Sequence, residues 1–419
     1  MVEKQPTSAS GRGPSKRKHG ERFPKALTLD PLLHYLPDKD RHLDNPGEVP
    51  YKFNLIGAGR MGQEHIRATH LEGRATIHGL YDPNPRSVEA ASLIHSQHSR
   101  KKTPLLVYDS LKKACNDPEI DGLIISTPNH THLEVMKVAT LSEKPILLEK
   151  PIAATLSDSY EVFKLAEAYP APLQIGLQYR YNPMYSEAIY ETLDRRSIGD
   201  VKLVGIQEHR FPFLDKVSQW NKFAEYSGDT LVEKCCHHFD LLNLFAQGRP
   251  EAVYATGNTA VNFKDFEYES KKSDILDNAM VIVDYENNVR ASFSLCMFAP
   301  MSYNELMVAG DEGWLKGWER EDFLTKDVES QLEIFCGDRK PSRKTTPRYP
   351  AVIEQSGHRG ATYFEHAHFV DSIESGQTTA TTAKEGLWSI IVASAAQESI
   401  KKRQVVAVSE LLDREGVKV

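Results

Sequence analysis

The chain has 419 residues and a net charge of −7, from 51 Lys and Arg against 58 Asp and Glu; this acidic balance disfavours wrapping nucleic acid or lying on an anionic membrane. Its 40 % hydrophobic and 26 % charged residues are ordinary globular proportions, with length for two or three domains at roughly 150 residues each. No run approaches the roughly 18 apolar residues of a membrane-spanning helix, and five scattered cysteines make no disulfide framework, which points to a reducing, cytoplasmic compartment.

Residues 1–50 read as a mostly disordered extension. In MVEKQPTSASGRGPSKRKHG, Lys and Arg outnumber acids five to one, and Pro, Gly and Ser leave little apolar surface to bury. Lys16-Arg17-Lys18 leaves a nuclear or organellar address open, and LTLDPLLHYLP, between two prolines, a short docked arm. From Tyr51 the pattern alternates: strand KFNLI, helix RMGQEHIRATHL, strand ATIHGLYD, helix RSVEAASLIHSQ, a short helix DSLKKAC, strand DGLIISTP, helix HTHLEVMKVATLSE, strand PILLEKP, helix TLSDSYEVFKLAEAY and strand LQIGLQY. Such alternation predicts a parallel sheet covered by helices on both faces, placed at 51–175. Then DVKLVGIQEHRF, EAVYATGNTAVNF, NAMVIVDY and NNVRASFSLCMF follow as strands, with helices CCHHFDLLNLFA, ATYFEHAHFVDSIES and AKEGLWSIIVASAAQESIKK. These predict an α+β domain with an antiparallel or mixed sheet over 176–412, and a ligand cleft between the domains.

After the first strand stands Gly57-Ala58-Gly59-Arg60-Met61-Gly62, G-x-G-x-x-G in strand–turn–helix context. Gly57 serves the tight turn, Gly59 the close approach of a pyrophosphate, and Gly62 the packing of helix on strand. The helix N-terminus offers free N–H groups to phosphate. Asp82, 20 residues beyond Gly62, stands where a carboxylate accepts from a ribose diol, which favours NAD; Arg86 leaves NADP possible.

The fourth long strand of this half ends in Glu149-Lys150-Pro151, and its end is where parallel sheets bind ligands. Pro151 suits a rigid turn, cis or trans. Further on, Glu233-Lys234-Cys235-Cys236-His237-His238-Phe239-Asp240 gathers cysteines and histidines, but adjacent residues on a helix point about 100° apart and cannot converge on one ion, so no metal is expected. Glu233 and His237 are spaced i,i+4, one face of a continuous helix, with Asp240 on the same side. A carboxylate beside an imidazole makes a general base.

G-A-G-R-M-G-x-x-H, T-P-N-H-T-H, E-K-P and E-x-x-x-H-x-x-D together resemble the Gfo/Idh/MocA oxidoreductases, NAD(P)-dependent dehydrogenases of sugars and cyclitols; the resemblance runs from about residue 51 to 412. It implies a Rossmann domain followed by a domain with a large open sheet that often mediates homo-oligomers. It implies catalytic roles for Lys150 and His237, with Glu233 where many members carry Asp. It places Thr127, Asn129, His132 and Glu149 on the cofactor side with the glycine turn, and Arg180, Asn182 and Tyr363 on the substrate side. The mechanism expected is oxidation of a secondary hydroxyl: His237, held by Glu233, takes the proton, and Lys150 binds the same oxygen, its pKa lowered by burial beside the nicotinamide. Two alternatives remain on the same fold, a redox-neutral NAD-dependent glycoside hydrolase and a non-catalytic sensor of NAD(P) or sugar. Cys235 and Cys236, adjoining the base, raise the expectation of inactivation by oxidation.

Overall fold

Near-continuous apolar runs make the first sheet. The computed structural model describes residues 51–99, 103–322, 324–325, 327–337, 341–377, 379 and 381–419; the expectations for residues 1–50 lie outside them. β1 (Tyr51–Ile56), α1 (Arg60–Glu72), β2 (Ala75–Tyr81), α2 (Pro85–His98), β3 (Leu106–Val107), α3 (Leu111–Cys115), β4 (Gly122–Ile125), α4 (His132–Ala139), β5 (Ile146–Glu149), α5 (Leu156–Glu167) and β6 (Leu173–Gly176) follow in order. The strands pair parallel in the order β3-β2-β1-β4-β5-β6, the Rossmann arrangement. Ile124, Ile125, Ile146, Leu147 and Leu148 are fully buried, as strands covered on both faces require. Helix starts follow local chemistry. Asn84 Oδ1 accepts from Arg86 N at 3.0 Å with Pro85 in the first turn, and Thr155 Oγ1 accepts from Asp158 N at 3.1 Å. Strand order reverses between β1 and β4, so a crevice opens at their C-terminal ends.

The second sheet has nine strands. The chain runs through α6 (Pro183–Ile189), β7 (Val201–His209), α7 (Ala224–Ser227), α8 (Asp229–Glu233), α9 (Cys236–Ala246), β8 (Pro250–Asn258), the small hairpin β9 (Glu267–Tyr268) and β10 (Lys271–Lys272), β11 (Asn278–Tyr285), β12 (Arg290–Cys296), β13 (Ser302–Gly310), β14 (Trp314–Glu321), β15 (Val328–Phe335) and β16 (Arg343–Thr345). It closes with α10 (Ala351–Glu354), α11 (Ala361–Ser375), α12 (Ala383–Lys402), β17 (Val406–Ala407) and α13 (Val408–Glu415). The order β16-β15-β14-β13-β7-β12-β11-β8-β17 is antiparallel except for the parallel pair β7–β12, so the sheet is mixed. The sequence reading assigned no strand to β13, β14 or β15. Their charged outward residues, as in WLKGWERE, dilute the apolar signal to strict alternation. One face is core, with Val204, Ile206, Phe293, Val281 and Leu306 buried under α9 and α12.

Late helices return to the first sheet. Phe369 and Val370 of α11 join Phe53, Leu55 and Ile77 in one apolar cluster. Arg74, 1 % exposed, donates to Asp371 Oδ1 at 2.7 Å and to the carbonyl of Ala367 at 3.0 Å. No helix among the described residues is long and apolar enough to cross a membrane.

Candidate functional site

The glycine turn has the geometry its sequence predicts. Gly57 sits at φ +92°, and a side chain there would meet Ser126. At Gly62 a Cβ would lie 2.3 Å from the carbonyl oxygen of Gly57, so only glycine lets α1 pack this closely. At Gly59 a Cβ would meet nothing within 4 Å. Gly59 caps α1 without a side-chain hydrogen bond, and the first turn, holding Arg60 and Met61, has no acid. Open space before free N–H groups at a helix start fits a pyrophosphate. Asp82, at the end of β2, accepts from Ala58 N and Asn84 N, both at 2.7 Å, which holds the turn against the strand with carboxylate lone pairs to spare.

Thr127, Asn129 and His132 follow β4, but two of the three are committed inward. Asn129, 3 % exposed, donates to the carbonyl of Ser227 at 2.8 Å and so ties the loop to α7. The ring nitrogens of the fully buried His132 lie 2.8 Å from the Pro151 carbonyl and 2.9 Å from that of Thr127. This ring joins the loop after β4 to the turn after β5. Thr127, half-buried, accepts from Thr131 Oγ1 at 2.8 Å.

The Glu149 and Lys150 side chains leave the strand end on opposite sides, as strand alternation requires. Glu149 Oε1 lies 3.0 Å from His65 Nε2, and its Oε2 accepts from Lys150 N at 3.0 Å. His65 Nδ1 lies 2.9 Å from His366 Nε2 of α11. Beside them Glu365 is fully buried, and neither carboxyl oxygen has a hydrogen-bond partner among the described residues. Burial, with the charges of Glu149 and Glu64, pushes its carboxyl well above the usual range and favours the neutral acid. His65, Glu149 and Glu365 present ligand atoms within 4.8 Å of one another, a cluster no sequence spacing announces.

The Lys150–Pro151 peptide bond is cis. Lys150 Nζ donates to the Glu233 carbonyl at 2.7 Å and lies 3.5 Å from its Oε2. Burial would lower this ammonium, but Glu233 foremost among the neighbouring groups outweighs it, and the pKa is raised, opposite to the sequence expectation. The Glu233–His237 pairing is also overturned. α8 ends at Glu233 and α9 begins at Cys236, with a turn between, so the i,i+4 face does not exist. Glu233 instead joins Lys150 to Lys216, whose Nζ lies 2.8 Å from Oε1; despite burial, these cations hold the carboxyl at about 2.

His237 is 2 % exposed, and its ring stacks on Tyr179 at 4.2 Å with an interplanar angle of 7°. Its Nδ1 has no hydrogen-bond partner among the described residues. Burial and the charges of Lys150, Lys234, His238 and His358 hold its pKa well below the ordinary value, so the imidazole is neutral. A neutral imidazole is able to accept a proton, and an ammonium near it is able to stabilise an oxygen that gives one up. Sequence reasoning missed Tyr179, Lys216, Lys234 and Glu208. Only Glu208 left a signal, a carboxylate at an inward position of β7 in line with Val204 and Ile206.

The expected substrate residues do not meet in the cleft. Arg180 is held by Asp240 in a two-pronged pair, Nε–Oδ2 2.7 Å and Nη2–Oδ1 2.5 Å, and with it lines a separate cavity of about 360 Å³ near Lys384 and Trp388. Asp240 therefore does not serve His237. Asn182 caps α6 and donates to Glu319 Oε2 at 3.2 Å. Tyr363, 1 % exposed, is packed among Tyr349, Ile353 and Phe364, because α11 runs into the core and carries it away from the cleft. Cys235 and Cys236 are fully buried; burial pushes Cys236 up to about 12 and Cys235 well above its usual range, which disfavours the thiolate on which the oxidation expected from sequence depends.

Residues 51–177 match the oxidoreductase family NAD-binding Rossmann fold, and residues 190–408 its C-terminal alpha/beta domain, GFO_IDH_MocA in both parts. The chain is 23 % identical over 359 residues to inositol 2-dehydrogenase of Rhizobium meliloti, covering 85 % of this chain and 99 % of that protein. A levoglucosan dehydrogenase solved with NADH and levoglucosan superposes with a TM-score of 0.69 at 20 % identity, over 85 % of this chain and 99 % of the other. An Agrobacterium radiobacter oxidoreductase solved with NAD+, L-tartaric acid and magnesium gives 0.70 at 18 % identity, over 87 % and 100 %. With both family domains matched in order along the residues that build the glycine turn and the Lys150–His237 cleft, this chain belongs to the Gfo/Idh/MocA family of NAD-binding oxidoreductases.

Proposed function

We propose that this protein oxidises a secondary hydroxyl of a sugar, cyclitol or related polyol, with NAD preferred over NADP. The observation that carries the reading is a buried, neutral His237 beside the charged Lys150 at the C-terminal end of β5. His237 accepts the hydroxyl proton. Lys150, fixed by Glu233, donates to the same oxygen and stabilises its developing negative charge. Bound nicotinamide supplies the hydride acceptor. Asp82 at the ribose position opposes a 2′-phosphate, which supports the NAD preference. The dehydrogenase names of the relatives support the reaction class. We propose as well that copies associate through the outer face of the nine-stranded sheet, where Met280 is 65 % and Ile282 51 % exposed, with Tyr254 opposite Ile282 on β8.

The test is NADH formation over a panel of polyols, inositols, aldoses and uronates, with NAD and NADP in parallel. Higher kcat/KM with NADP overturns the cofactor preference. Free sugar released from glycosides without NADH accumulation replaces the dehydrogenase reading with the hydrolase one.

A further inference from the structure

Four cations near the proposed base share two carboxylates. Glu233 takes Lys150, with Nζ 3.5 Å from Oε2, and Lys216, with Nζ 2.8 Å from Oε1. Glu208 takes Lys234, with Nζ 3.1 Å from Oε1, and Arg210, whose Nη1 is 4.0 Å from the same oxygen. Both carboxylates are nearly fully buried and held ionised by these partners. The other nearby charges pair off elsewhere: Asp240 with Arg180, and Asp215 with Lys222. Counting Glu149 behind Lys150 as a third negative charge still leaves one positive charge in excess. Lys150 and Lys234 are foremost among the charges that act on His237.

A buried positive excess is costly unless an anion neutralises it. The pyrophosphate position lies at Gly59, at the start of α1. Among the four, Lys216 is the most accessible, its side chain 28 % exposed against 16 % for Arg210, 13 % for Lys150 and 9 % for Lys234. It sits on the segment leaving β7, and its Nζ lies 4.3 Å from the ring centroid of Trp220. The ammonium has three N–H groups; one carboxylate oxygen and the ring face leave it capacity for another acceptor. The excess of one charge matches a monoanion; a dianionic phosphate would leave the cleft negative.

We propose that the substrate is a polyhydroxylated acid of the uronate or aldonate type, and that Lys216 selects it by binding the substrate carboxylate. This deepens the dehydrogenase reading and rests on it for the position of the reacting hydroxyl. Lys216 is a specificity residue: it recognises the acid, while His237 and Lys150 act on the hydroxyl.

The experiment measures equilibrium binding by calorimetry to the full chain saturated with NADH, at low and at moderate salt. The probes are D-glucuronate, D-galacturonate and D-gluconate, their neutral counterparts D-glucose, D-galactose and sorbitol, and D-glucose 6-phosphate. At least one acid should bind about tenfold or more tightly than its neutral counterpart, the scale of one charge-assisted hydrogen bond. Added salt should shrink that advantage, Lys216→Met should remove it, and Lys216→Arg should retain most of it. Equal or tighter binding of the neutral counterparts or of the phosphate overturns the proposal. So does a failure of every acid to bind, or an acid affinity unchanged in a Lys216→Met protein that melts like the parent. The acid-against-neutral comparison needs no variant, so misfolding of a variant does not blunt it. If an acid binds with the expected preference but yields no NADH with NAD+, the dehydrogenase reading fails and the specificity of the cleft stands.

Discussion

Glu233 is bound to Lys150, not to His237: the Lys150 ammonium donates to the Glu233 carbonyl at 2.7 Å and lies 3.5 Å from its carboxylate. The acid therefore fixes Lys150, the group proposed to bind the reacting oxygen, and His237, the proposed base, is fixed by stacking on Tyr179. That division of labour governs how the site should respond to mutation and pH.

Replacing Glu233 by Gln removes the charge that outweighs burial at Lys150. The ammonium pKa should fall, and the alkaline limb of kcat/KM should move to lower pH; a pH–rate profile checks this. In stability the sign is opposite. The Glu233 carboxyl is held at about 2 against an ordinary 4.5, so its contribution is present above pH 4.5 and is lost as pH falls towards 2. Glu233→Ala leaves Lys150 and the partly exposed Lys216 short of a partner and should cost about 1–3 kcal/mol in denaturant unfolding.

His237→Ala should lower kcat by about 10²–10⁴-fold while NADH binding, followed by fluorescence, persists. Because the pKa of His237 lies well below 6.5, the acid limb of kcat/KM should also fall well below pH 6.5. Retention of activity within a few-fold would show that another group takes the proton.

Gly59, which caps α1, and Gly62 in its first turn separate folding from binding. Gly59→Ala meets no protein atom within 4 Å, so thermal stability should hold while NAD affinity falls about tenfold or more. Gly62→Ala drives a methyl to 2.3 Å from the Gly57 carbonyl oxygen and should lower both. Thermal melts with and without NADH distinguish the two.

Glu365 is an acid whose folded pKa is raised, so its favourable contribution is complete below the ordinary carboxylate range and is lost as pH rises through the folded value. Glu365→Gln keeps the shape without the ionisable proton. It should flatten the pH dependence of the melting temperature and raise it on the alkaline side. An unchanged pH dependence would show that Glu365 does not titrate in this way.

Cys235 and Cys236 should resist iodoacetamide and peroxide in the native protein, since both thiols are fully buried and pushed up. Peptide mass mapping before and after unfolding checks this.

The sequence by itself determined the elements whose signals are local. The apolar runs of β1, β4 and β5, the Asn84 and Thr155 caps, and Gly57, Gly59 and Gly62 are each dictated within a few residues. Even the inward-facing β13 pattern was readable in principle, but its alternation is diluted by charge. What touches what around His237 was decided only by tertiary structure. A break after Glu233 turned an i,i+4 pair into separate contacts, and chain neighbours Tyr179 and Arg180 were sent to different partners, His237 and Asp240. Glu208, Lys216 and Lys234 reach the cleft from β7, the segment after it and the turn before α9. Helical spacing fixes a side chain's direction only while the helix is unbroken, and charges choose partners by distance in space, which a linear pattern does not encode.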